Sequence, residues 1–294
     1  PAGPLLLCPD CEEEASGQPQ SIPGYRIARQ LGRGGMGVVW LALRPSDGGR
    51  VALKTITPAV SGGDEVVQRF LREAEILRQL RHPHIVAFHE MGEADDRLYF
   101  AMEYVPGTDA GRHLARSGPL PVARAVAWVC QALAALAYAH DKGFVHRDLK
   151  PANLLVGEEG GREAVKLADF GLARVYQASR LSGLTMTKQM GGTVAFMPPE
   201  QIINFREAKP PADQYGMAAT LYNLLTNQYI YDLPRSAMEA LAMMLQEDPV
   251  PIEDRRRDLP AGLVEAVHRG LARDPGDRFP DAEAMRQALL RYCR

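Results

Sequence analysis

Cysteine is scarce in this chain of 294 residues, which contains only 4, and they are scattered. A disulfide-stabilised scaffold of this size would need many more, so that class of secreted protein is excluded. No stretch approaches the ~18 uninterrupted apolar residues of a transmembrane helix, so we expect no membrane segment. The first residues also lack the basic segment, apolar core and cleavage site of a signal peptide. These absences predict a cytoplasmic protein.

An excess of one charge sign is also missing, since 34 Lys and Arg face 36 Asp and Glu, for a net charge of −2. Proteins that bind nucleic acid or an anionic membrane surface usually carry an excess of basic residues, so neither is an expected partner. Hydrophobic residues at 46% and charged residues at 24% are typical of a globular protein. The length exceeds that of most single cores and indicates two lobes or domains.

Residues 1–23 are predicted to form a flexible segment, because Pro, Gly, Gln and Ser are mixed there with an acidic run. Within it, Cys8 and Cys11 have the C-x-x-C spacing of half a zinc site. A structural zinc site needs four ligands and no second pair follows, so a site completed across a dimer and two plain thiols both remain open. Cys130 and Cys293 are interpreted as ordinary reduced thiols.

Glycine is concentrated at residues 32–37, Gly-Arg-Gly-Gly-Met-Gly, between two segments with strand character. Residues 25–31 alternate in polarity, and residues 38–43 are β-branched, aromatic and apolar. The G-x-G-x-x-G spacing also marks dinucleotide-binding folds, but there the glycines open a helix. Two flanking strands instead predict a hairpin whose backbone N–H groups can close over phosphates, because glycine has no side chain to block the approach. A glycine-rich turn without a ligand is the alternative.

A lysine and a glutamate farther along the chain are predicted to pair. Residues 51–54, Val-Ala-Leu-Lys, indicate a third strand that ends in Lys54. Apolar residues recur at helical spacing over residues 66–80, and Glu73 is aligned with the apolar stripe. An unpaired charge on an inward-facing stripe is costly, so Glu73 requires a cation, and Lys54 is the candidate. A surface lysine and a solvated glutamate are the alternative.

A carboxylate, an ammonium and an amide stand close together in residues 146–153, His-Arg-Asp-Leu-Lys-Pro-Ala-Asn. Phosphoryl transfer needs an acceptor hydroxyl oriented by a carboxylate, and phosphate charge neutralised by a lysine and Mg²⁺. The residue types and their spacing therefore favour this reaction. A charged, solvated turn is the alternative.

Together these motifs resemble those of the eukaryotic-like (Hanks-type) serine/threonine protein kinases, and their sequences are most similar to the bacterial branch of that family. The resemblance also includes Asp-Phe-Gly at residues 169–171 and Pro-Pro-Glu at residues 198–200. It implies an α+β, two-lobed protein kinase fold, with an N-terminal five-stranded antiparallel sheet plus one helix and a mostly helical C-terminal lobe. The implied lobes are residues 24–104 and 105–294, after the flexible segment 1–23.

The resemblance implies a catalytic centre built from four charged residues. Asp148 takes the proton of the substrate hydroxyl, and Lys150 stabilises the transferring phosphoryl group. The pair of Lys54 and Glu73 holds the α and β phosphates of ATP. Mg²⁺ is a hard cation that prefers oxygen ligands. The metal ligands implied by the resemblance are Asn153 and Asp169.

The adenine ring of ATP is expected to contact a hinge between the lobes. By resemblance, the hinge backbone at Glu103 and Val105 bonds the adenine edge, with Met102 at the gatekeeper position. Leu155 lies beneath the adenine ring, and Asp109 reaches the ribose. The implied nucleotide-binding positions are Leu31, Gly32, Gly34, Gly37, Val39, Ala52, Lys54, Met102, Glu103, Val105, Asp109 and Leu155.

Three structural partners are also implied. Glu200 and Arg278 are expected to form a buried ion pair, and Asp213 is expected to brace the backbone of the catalytic loop. His140 ends the Ala-rich helix that is predicted from residue 119, and we interpret it as a hydrogen-bonding residue rather than a metal ligand.

The expected activity is that of a serine/threonine protein kinase, because Lys150 in the catalytic loop is typical of that branch. Residues 172–200 resemble an activation segment. We expect Thr185 or Thr187 to be autophosphorylated there and the phosphate to pair with Arg147, since phosphate forms charge-assisted bonds to arginine. A solvated Ser/Thr-rich loop is the alternative.

The partners implied by the resemblance are ATP, Mg²⁺ and protein substrates, and a homodimer through the N-terminal lobe is also considered. Two other classes of function are kept as alternatives. A nucleotide-binding pseudokinase scaffold would have lost one of the charged catalytic residues, and none is lost. A small-molecule kinase usually lacks Lys150 and the Pro-Pro-Glu motif, and both are present.

Overall fold

The chain forms two compact units in its computed structural model. The first unit contains residues up to Arg81 and Val86–Val105, and the second contains His82–Ile85 and Pro106–Arg294. The predicted domain limits stay predictions, and almost all of the predicted flexible segment lies outside the described residues. The structure describes residues 22–34, 37–56, 78–94, 97–170, 194–204, 207–234 and 236–294.

A five-stranded sheet forms the first unit, in the order β1-β2-β3-β5-β4. Every neighbouring pair of strands is antiparallel. The predicted N-terminal sheet is thereby confirmed, whereas most of its predicted helix falls in residues 57–77, outside the described part. The strands are β1 Arg26–Gly34, β2 Gly37–Arg44, β3 Gly49–Ile56, β4 Phe88–Ala94 and β5 Arg97–Glu103.

Alternation along β3 determines which side chains enter the core of the first unit. Val51 and Leu53 are 1% and 0% exposed and pack in a cluster with Trp40. Because side chains alternate along a strand, Lys54 lies on the opposite face of the sheet. It is nevertheless only 5% exposed, and a buried ammonium is tolerated only when it is paired. The ammonium of Lys54 therefore requires a charged or polar partner on this face of the sheet.

The fourth strand begins later than predicted. The sequence predicts a strand over residues 85–88, but β4 begins only at the last of these. Ile85 instead forms an isolated bridge with Leu167 of the second unit, to which it belongs. The Ala87 N–H donates to the side-chain carboxylate of Glu103 at 3.1 Å rather than to a backbone carbonyl oxygen of β5. A short apolar run cannot reveal this, because the competing partners are remote in sequence.

Helices dominate the described part of the second unit, together with a three-stranded sheet in the order β6-β7-β8. The mostly helical C-terminal lobe is thereby confirmed. The strands are β6 Thr108–Asp109, β7 Leu154–Glu159 and β8 Arg162–Leu167. The helices are α1 Ala110–Ser117, α2 Val122–Asp141, α3 Pro199–Ile203, α4 Pro210–Thr226, α5 Ala237–Gln246, α6 Ile252–Arg255, α7 Ala261–Gly270 and α8 Ala282–Leu290. Short 3₁₀ turns cover Pro151–Asn153 and Pro275–Asp277.

Helix α2 begins later than the predicted residue 119. The sequence places Pro121 in its first turn, but Pro121 has an extended ψ of 143° and precedes the first helical residue, Val122. Alanine, the best helix former, fills the interior. Gly143 follows the helix with a φ of 80°, a left-handed conformation that glycine adopts without strain, and this ends the helix.

By length and composition, α2 is the one described helix that could cross a membrane. Its buried residues, which include Trp128 and Leu133, line a core shared with α4, α8 and β8. Packing within the second unit therefore accounts for its apolar composition.

Helix α4 runs through the centre of this core, and every residue from Ala212 to Thr226 is buried. It begins at Pro210, earlier than the predicted start at Ala212, because proline suits the first turn of a helix. Side-chain caps fix the starts of two other predicted helices. The Ser236 hydroxyl accepts from Glu239 N at 3.4 Å before α5. The Asp281 carboxylate accepts from Ala284 N at 2.7 Å before α8.

A buried ion pair ties α3 to the C-terminal part of the second unit, as predicted. The Arg278 side chain is 0% exposed, and its Nη1 and Nη2 donate to the Glu200 carboxylate oxygens at 2.6 and 3.0 Å. Its Nε and Nη1 also donate to the carbonyl oxygens of Ala272 and Pro211, each at 2.8 Å. A bidentate pair with further acceptors satisfies the buried guanidinium.

Replacing Glu200 by alanine should lower the free energy of unfolding by about 3 kcal/mol, because the Arg278 charge stays buried without its partner. Urea unfolding followed by far-UV circular dichroism measures this. Glu283→Ala is the matched control, since Glu283 pairs with Arg286 at 2.6 Å on a more exposed surface of α8. That variant should lose at most about 1 kcal/mol. Equal losses in the two variants would contradict the prediction.

Candidate active site

The catalytic-loop residues predicted from the sequence converge on one carboxylate. Lys150 Nζ lies 2.9 Å from both carboxylate oxygens of Asp148. Asn153 Nδ2 donates to the Asp148 backbone oxygen at 2.7 Å and to its Oδ2 at 3.0 Å. The structure therefore brings the carboxylate, the ammonium and the amide together. The Asp148 side chain remains 12% exposed and the Lys150 side chain 20%, so both can still be reached from solvent.

A 3₁₀ turn explains how Asn153 reaches back to Asp148. Pro151 occupies the first turn, where its missing N–H is not needed, and Asn153 N donates to Lys150 O at 3.0 Å. The turn places the Asn153 side chain in a buried position, with the residue only 6% exposed. Strand β7 starts at the next residue, Leu154. The local sequence thus folds the amide onto the carboxylate.

Asp213 braces the backbone of this loop, as predicted. Its Oδ2 accepts from His146 N and its Oδ1 accepts from Arg147 N, each at 2.8 Å. Arg147 has a φ of 68°, a left-handed conformation that is uncommon for a residue with a side chain. The two hydrogen bonds hold the chain in this conformation just before Asp148.

His140, at the end of α2, completes the environment of the same carboxylate. Its Nε2 donates to Asp213 Oδ2 at 2.8 Å, so the predicted hydrogen-bonding role is confirmed. Burial alone would raise the pKa of the Asp213 carboxyl. The hydrogen bond and charge of His140 and the hydrogen bond from Arg147 N outweigh burial, and the net pKa lies below its usual value. The carboxylate is therefore held in its ionised form.

His146 connects the catalytic loop to the Asp-Phe-Gly segment. Its Nδ1 accepts from Asp148 N at 3.3 Å, and its Nε2 donates to Ala168 O at 2.9 Å. Its ring contacts the Phe170 ring, with the centroids 4.5 Å apart. Ala168 N in turn donates to Asn153 O at 2.9 Å. These bonds fix the start of the segment that carries the second predicted metal ligand.

That ligand, Asp169, also has a left-handed backbone, with a φ of 62°. It follows β8, and the next residue, Phe170, is buried at 6% exposure. Non-glycine residues in this region are strained and cluster at functional sites. Two of the three described non-glycine residues with positive φ, Arg147 and Asp169, belong to the predicted site. Gly171 lies outside the described residues.

Several other predicted site residues lie in the first unit, on β1, β2 and β3. Gly34 pairs with Gly37 at the end of the β1–β2 hairpin, so two of the predicted phosphate-loop glycines face each other. Lys54 pairs with Val39 on one side and with Phe100 on the other. Glu73 lies outside the described residues, so its predicted pair with Lys54 stays a prediction.

The predicted hinge follows β5. Met102 pairs with Ala52, and Glu103 N donates to Ala87 O at 2.8 Å. Since that N–H is already used, an adenine contact at Glu103 can involve only its carbonyl oxygen. Val105 is half-buried and closes the first unit, as the last residue of its second stretch.

Asp109, the predicted ribose ligand, caps α1. Its Oδ1 accepts from Arg112 N at 2.8 Å, and its Oδ2 lies 3.3 Å from Arg112 Nε. A ribose hydroxyl would therefore have to share this carboxylate with the helix cap. Leu155 pairs with Asp109 across the β6–β7 ladder and is half-buried. The two residues thus lie side by side in the second unit.

Sequence reasoning missed one buried residue next to the site. Gln201, on α3, is 2% exposed and its Nε2 donates to Arg147 O at 2.7 Å. The only sequence signal is a polar residue directly after Pro-Pro-Glu, and nothing in that pattern indicates a partner in the catalytic loop. The contacts of His146 were also not predicted, although it begins the motif.

The residues of this site match an established family. The family model described as protein kinase domain matches residues 25–290. The chain belongs to the protein kinase family. The kinase domain therefore accounts for nearly all of the described residues.

Several mycobacterial kinases are similar to this chain. The serine/threonine-protein kinase PknJ of Mycobacterium tuberculosis is 38% identical over 261 residues, which cover 88% of this chain and 44% of PknJ. The crystal structure of the M. tuberculosis PknI kinase domain is 33% identical with a TM-score of 0.72, covering 93% of this chain and 98% of that one. The structure of Rad53 1–466 in complex with AMP-PNP is 25% identical with a TM-score of 0.73, covering 92% and 66%.

These similarities confirm the predicted resemblance to bacterial Hanks-type serine/threonine kinases and the protein kinase fold. Protein kinases as a family are transferases that use ATP as a substrate. The similarities therefore assign this chain to that class of enzyme. The chain spans about half the length of the curated relatives it matches, 44% of PknJ and 56% of PknF. The activity of the whole protein, its substrates and its partners are therefore taken up as proposals.

Replacing Asp213 by asparagine should lower kcat by about 10- to 100-fold while the KM for ATP changes little, because the catalytic loop loses its alignment. An amide offers only one acceptor oxygen to the donors of His140, His146 and Arg147. Steady-state kinetics with a generic protein acceptor measure the effect. A variant with unchanged kcat, or with a raised KM alone, would show that the brace does not position the loop.

The same variant should also respond differently to acid. The pKa of Asp213 is lowered in the folded state, so its ionisation stabilises the fold above about pH 4, and this contribution is lost as the pH falls through the folded pKa. As the pH falls below about 4, the wild type should therefore lose more unfolding free energy than Asp213→Asn. Urea unfolding at a series of pH values tests this, and parallel losses would refute it.

Proposed function

We propose that this kinase transfers the γ-phosphate of ATP to serine and threonine hydroxyls of proteins. The observation that carries the proposal is the Asp148 carboxylate, which is held by Lys150 and Asn153 in a loop braced by Asp213. Such a loop supplies a positioned carboxylate, and positioning with charge stabilisation provides most of the catalysis of phosphoryl transfer.

Each group in the loop has a distinct role in this proposal. Asp148 accepts a hydrogen bond from the substrate hydroxyl and takes its proton as the bond to phosphorus forms. Lys150, whose Nζ already contacts Asp148, stabilises the charge of the transferring phosphoryl group. Because Lys150 Nζ lies close to the Asp148 carboxylate, the substrate hydroxyl and the transferring phosphoryl group are kept next to each other.

Asn153 and Asp169 fit a magnesium ion. The Asn153 amide donates to Asp148 through Nδ2 in both of its hydrogen bonds, so Oδ1 is the atom that would bind a hard cation. Among the described residues, no three His, Cys, Asp or Glu side chains form a metal cluster. Mg²⁺ needs none, because it usually binds one or two protein oxygens together with phosphates and water. When bound, it neutralises phosphate charge.

Most of the residues proposed to bind the nucleotide lie in the first unit. Lys54, paired with Glu73, holds the α and β phosphates, and the backbone of the glycine hairpin covers them. Apolar side chains enclose the adenine ring, the hinge backbone bonds its edge, and Asp109 contacts the ribose. The residues proposed for these contacts are Leu31, Gly32, Gly34, Gly37, Val39, Ala52, Met102, Glu103, Val105 and Leu155.

A nucleotide-binding pseudokinase scaffold is the second candidate. It is less well supported, because Lys54, Asp148, Lys150, Asn153 and Asp169 are all present. We further propose protein substrates and a cytoplasmic location. The balanced charge supports the absence of a nucleic-acid partner. A homodimer through the first unit and a zinc site in the N-terminal segment stay open proposals, since no described residue bears on them.

Asp148→Asn and Lys54→Met should each reduce turnover by roughly 10²- to 10³-fold, because each removes a charge that acts in the transition state. Transfer from labelled ATP to a generic protein acceptor measures turnover, and circular dichroism checks the fold. Asp141→Asn, an exposed residue at the end of α2, is the matched control and should keep full activity. Near-normal turnover in both test variants would reject these roles and favour the scaffold.

Incubation with ATP and Mg²⁺ should add phosphate to Thr185 or Thr187, in the activation segment outside the described residues. The negative phosphate would then pair with the Arg147 guanidinium. Phosphopeptide mass spectrometry identifies the site, and Asp148→Asn protein serves as the control that should stay unmodified. No phosphate between residues 172 and 200 in the wild type would dispose of this prediction.

A further inference from the structure

Both peptide groups that flank the Cα of Arg147 are held by side chains from other elements. Asp213 accepts from the Arg147 N–H at 2.8 Å. On the other side, Gln201 Nε2 donates to the Arg147 carbonyl oxygen at 2.7 Å. Fixing both peptide planes fixes φ and ψ of the residue between them, and hence the direction in which the chain continues to Asp148.

Gln201 is well suited to hold this position. It is 2% exposed, and its own N–H donates to Pro198 O at 3.0 Å in the first turn of α3. The preceding residue, Glu200, is bound to the buried Arg278. The amide therefore projects from a helix that is itself anchored, so a displacement of α3 would be passed to the Arg147 carbonyl.

The hydrogen bond is directional, and its chemistry is specific. A carbonyl oxygen can only accept, so the side chain at position 201 must donate. The Arg147 backbone is in the left-handed region, with a φ of 68°, and such a conformation persists only where its surroundings determine it fully. Without the Gln201 donor, the Arg147 carbonyl oxygen would lose its hydrogen bond. The peptide group between Arg147 and Asp148 would then no longer be held on that side.

We propose that Gln201 is a positioning residue for phosphoryl transfer, which aligns the Asp148 carboxylate by holding the Arg147 carbonyl and couples this alignment to α3. The proposal rests on the kinase activity proposed above. It adds a residue outside the catalytic loop that controls kcat without touching substrate or nucleotide.

Two variants of nearly equal volume separate the hydrogen bond from packing. Gln201→Met removes the donor, and should lower kcat by about 10-fold or more with little change in the KM for ATP. Gln201→Glu restores a donor only when its carboxyl is protonated, since the ionised form would only accept. The ratio of its kcat to that of the wild type should therefore fall as pH rises, whereas the ratio for Gln201→Met should stay flat. Ile203→Gln, at a 76% exposed position of α3, is the matched control.

Each result decides the question. The proposal would be overturned if the two variants had equal and pH-independent ratios of kcat to the wild-type kcat, or ratios near 1. Unfolding of both variants would overturn it as well. If the wild type itself shows no transfer, the proposed function fails separately, and hydrogen exchange then tests the contact. Gln201→Met should speed amide exchange in a peptide covering residues 146–150, and unchanged exchange would reject the positioning role.

An independent observation concerns the two cysteines that the sequence indicates to be separate thiols. Cys130, on α2, and Cys293, just past the end of α8, have their sulfur atoms 3.7 Å apart. Cys130 is buried, and its thiol also lies 3.9 Å from Arg286 O. A disulfide has a bond of about 2.05 Å, so the sulfurs must approach by less than about 2 Å.

We infer that Cys130 and Cys293 are a site of disulfide formation that joins the C-terminal end of the chain to α2. The oxidant is a hydroperoxide such as hydrogen peroxide. The Cys293 thiolate attacks one peroxide oxygen, giving a sulfenic acid and hydroxide, and Cys130 sulfur then attacks the sulfenic sulfur and releases water. The sum is two thiols and one peroxide giving one disulfide and two waters. Cys293 is the first nucleophile because it is the less buried thiol, whereas burial raises the pKa of Cys130.

Peptide mapping without reductant tests this in the 294-residue chain that carries Cys8→Ser and Cys11→Ser. After treatment with hydrogen peroxide, a linked peptide pair containing Cys130 and Cys293 is expected, and Tm should rise by about 5 °C because a long loop is closed. Cys293→Ser should show neither effect. Alkylation of both thiols after the treatment, or a disulfide between two molecules only, would overturn the inference.

Discussion

The catalytic loop depends on one buried carboxylate, that of Asp213. Its oxygens accept hydrogen bonds from the His140 ring and from the backbone N–H groups of His146 and Arg147. An ionised carboxylate in a protein interior is unfavourable in free energy unless its oxygens accept hydrogen bonds. If the loop moved away, the Asp213 carboxylate would lose these bonds and the fold would be destabilised. The electrostatics of burial therefore fix the backbone from which Asp148 projects.

Polar bonds of this kind, rather than apolar packing alone, connect the elements around the site. Apolar packing is non-directional and brings α2, α4 and α8 together, but it does not orient a single peptide group. Orientation comes from directional contacts such as those of Gln201 with Arg147 and of Glu200 with Arg278. Since a misplacement of about 1 Å can reduce catalysis by about 10²-fold, such directional bonds contribute to turnover as well as to folding.

The sequence predicts those parts of the fold and site in which the partners are close along the chain. The five-stranded sheet follows from local strand patterns, and Asp148, Lys150 and Asn153 meet because one turn joins them. The start of β4 and the role of Gln201 could not be predicted, because their partners are remote and no pattern near them indicates a donor or an acceptor. Conversely, Asp213 was identified only through the resemblance to kinases, not through its spacing.

Backbone strain is the feature that sequence conceals most completely. Arg147 and Asp169 adopt left-handed conformations that glycine would adopt more readily, yet neither is glycine. A glycine at Arg147 would relieve the strain, but it would remove the guanidinium that bonds Ala208 O at 3.2 and 3.3 Å, and it would free the backbone on both sides. Each strained residue of this kind costs about 1–3 kcal/mol and persists only when its surroundings determine it. The buried hydrogen bonds of the Arg147 backbone hold it in this conformation. The same bonds therefore maintain the strain and align the catalytic loop.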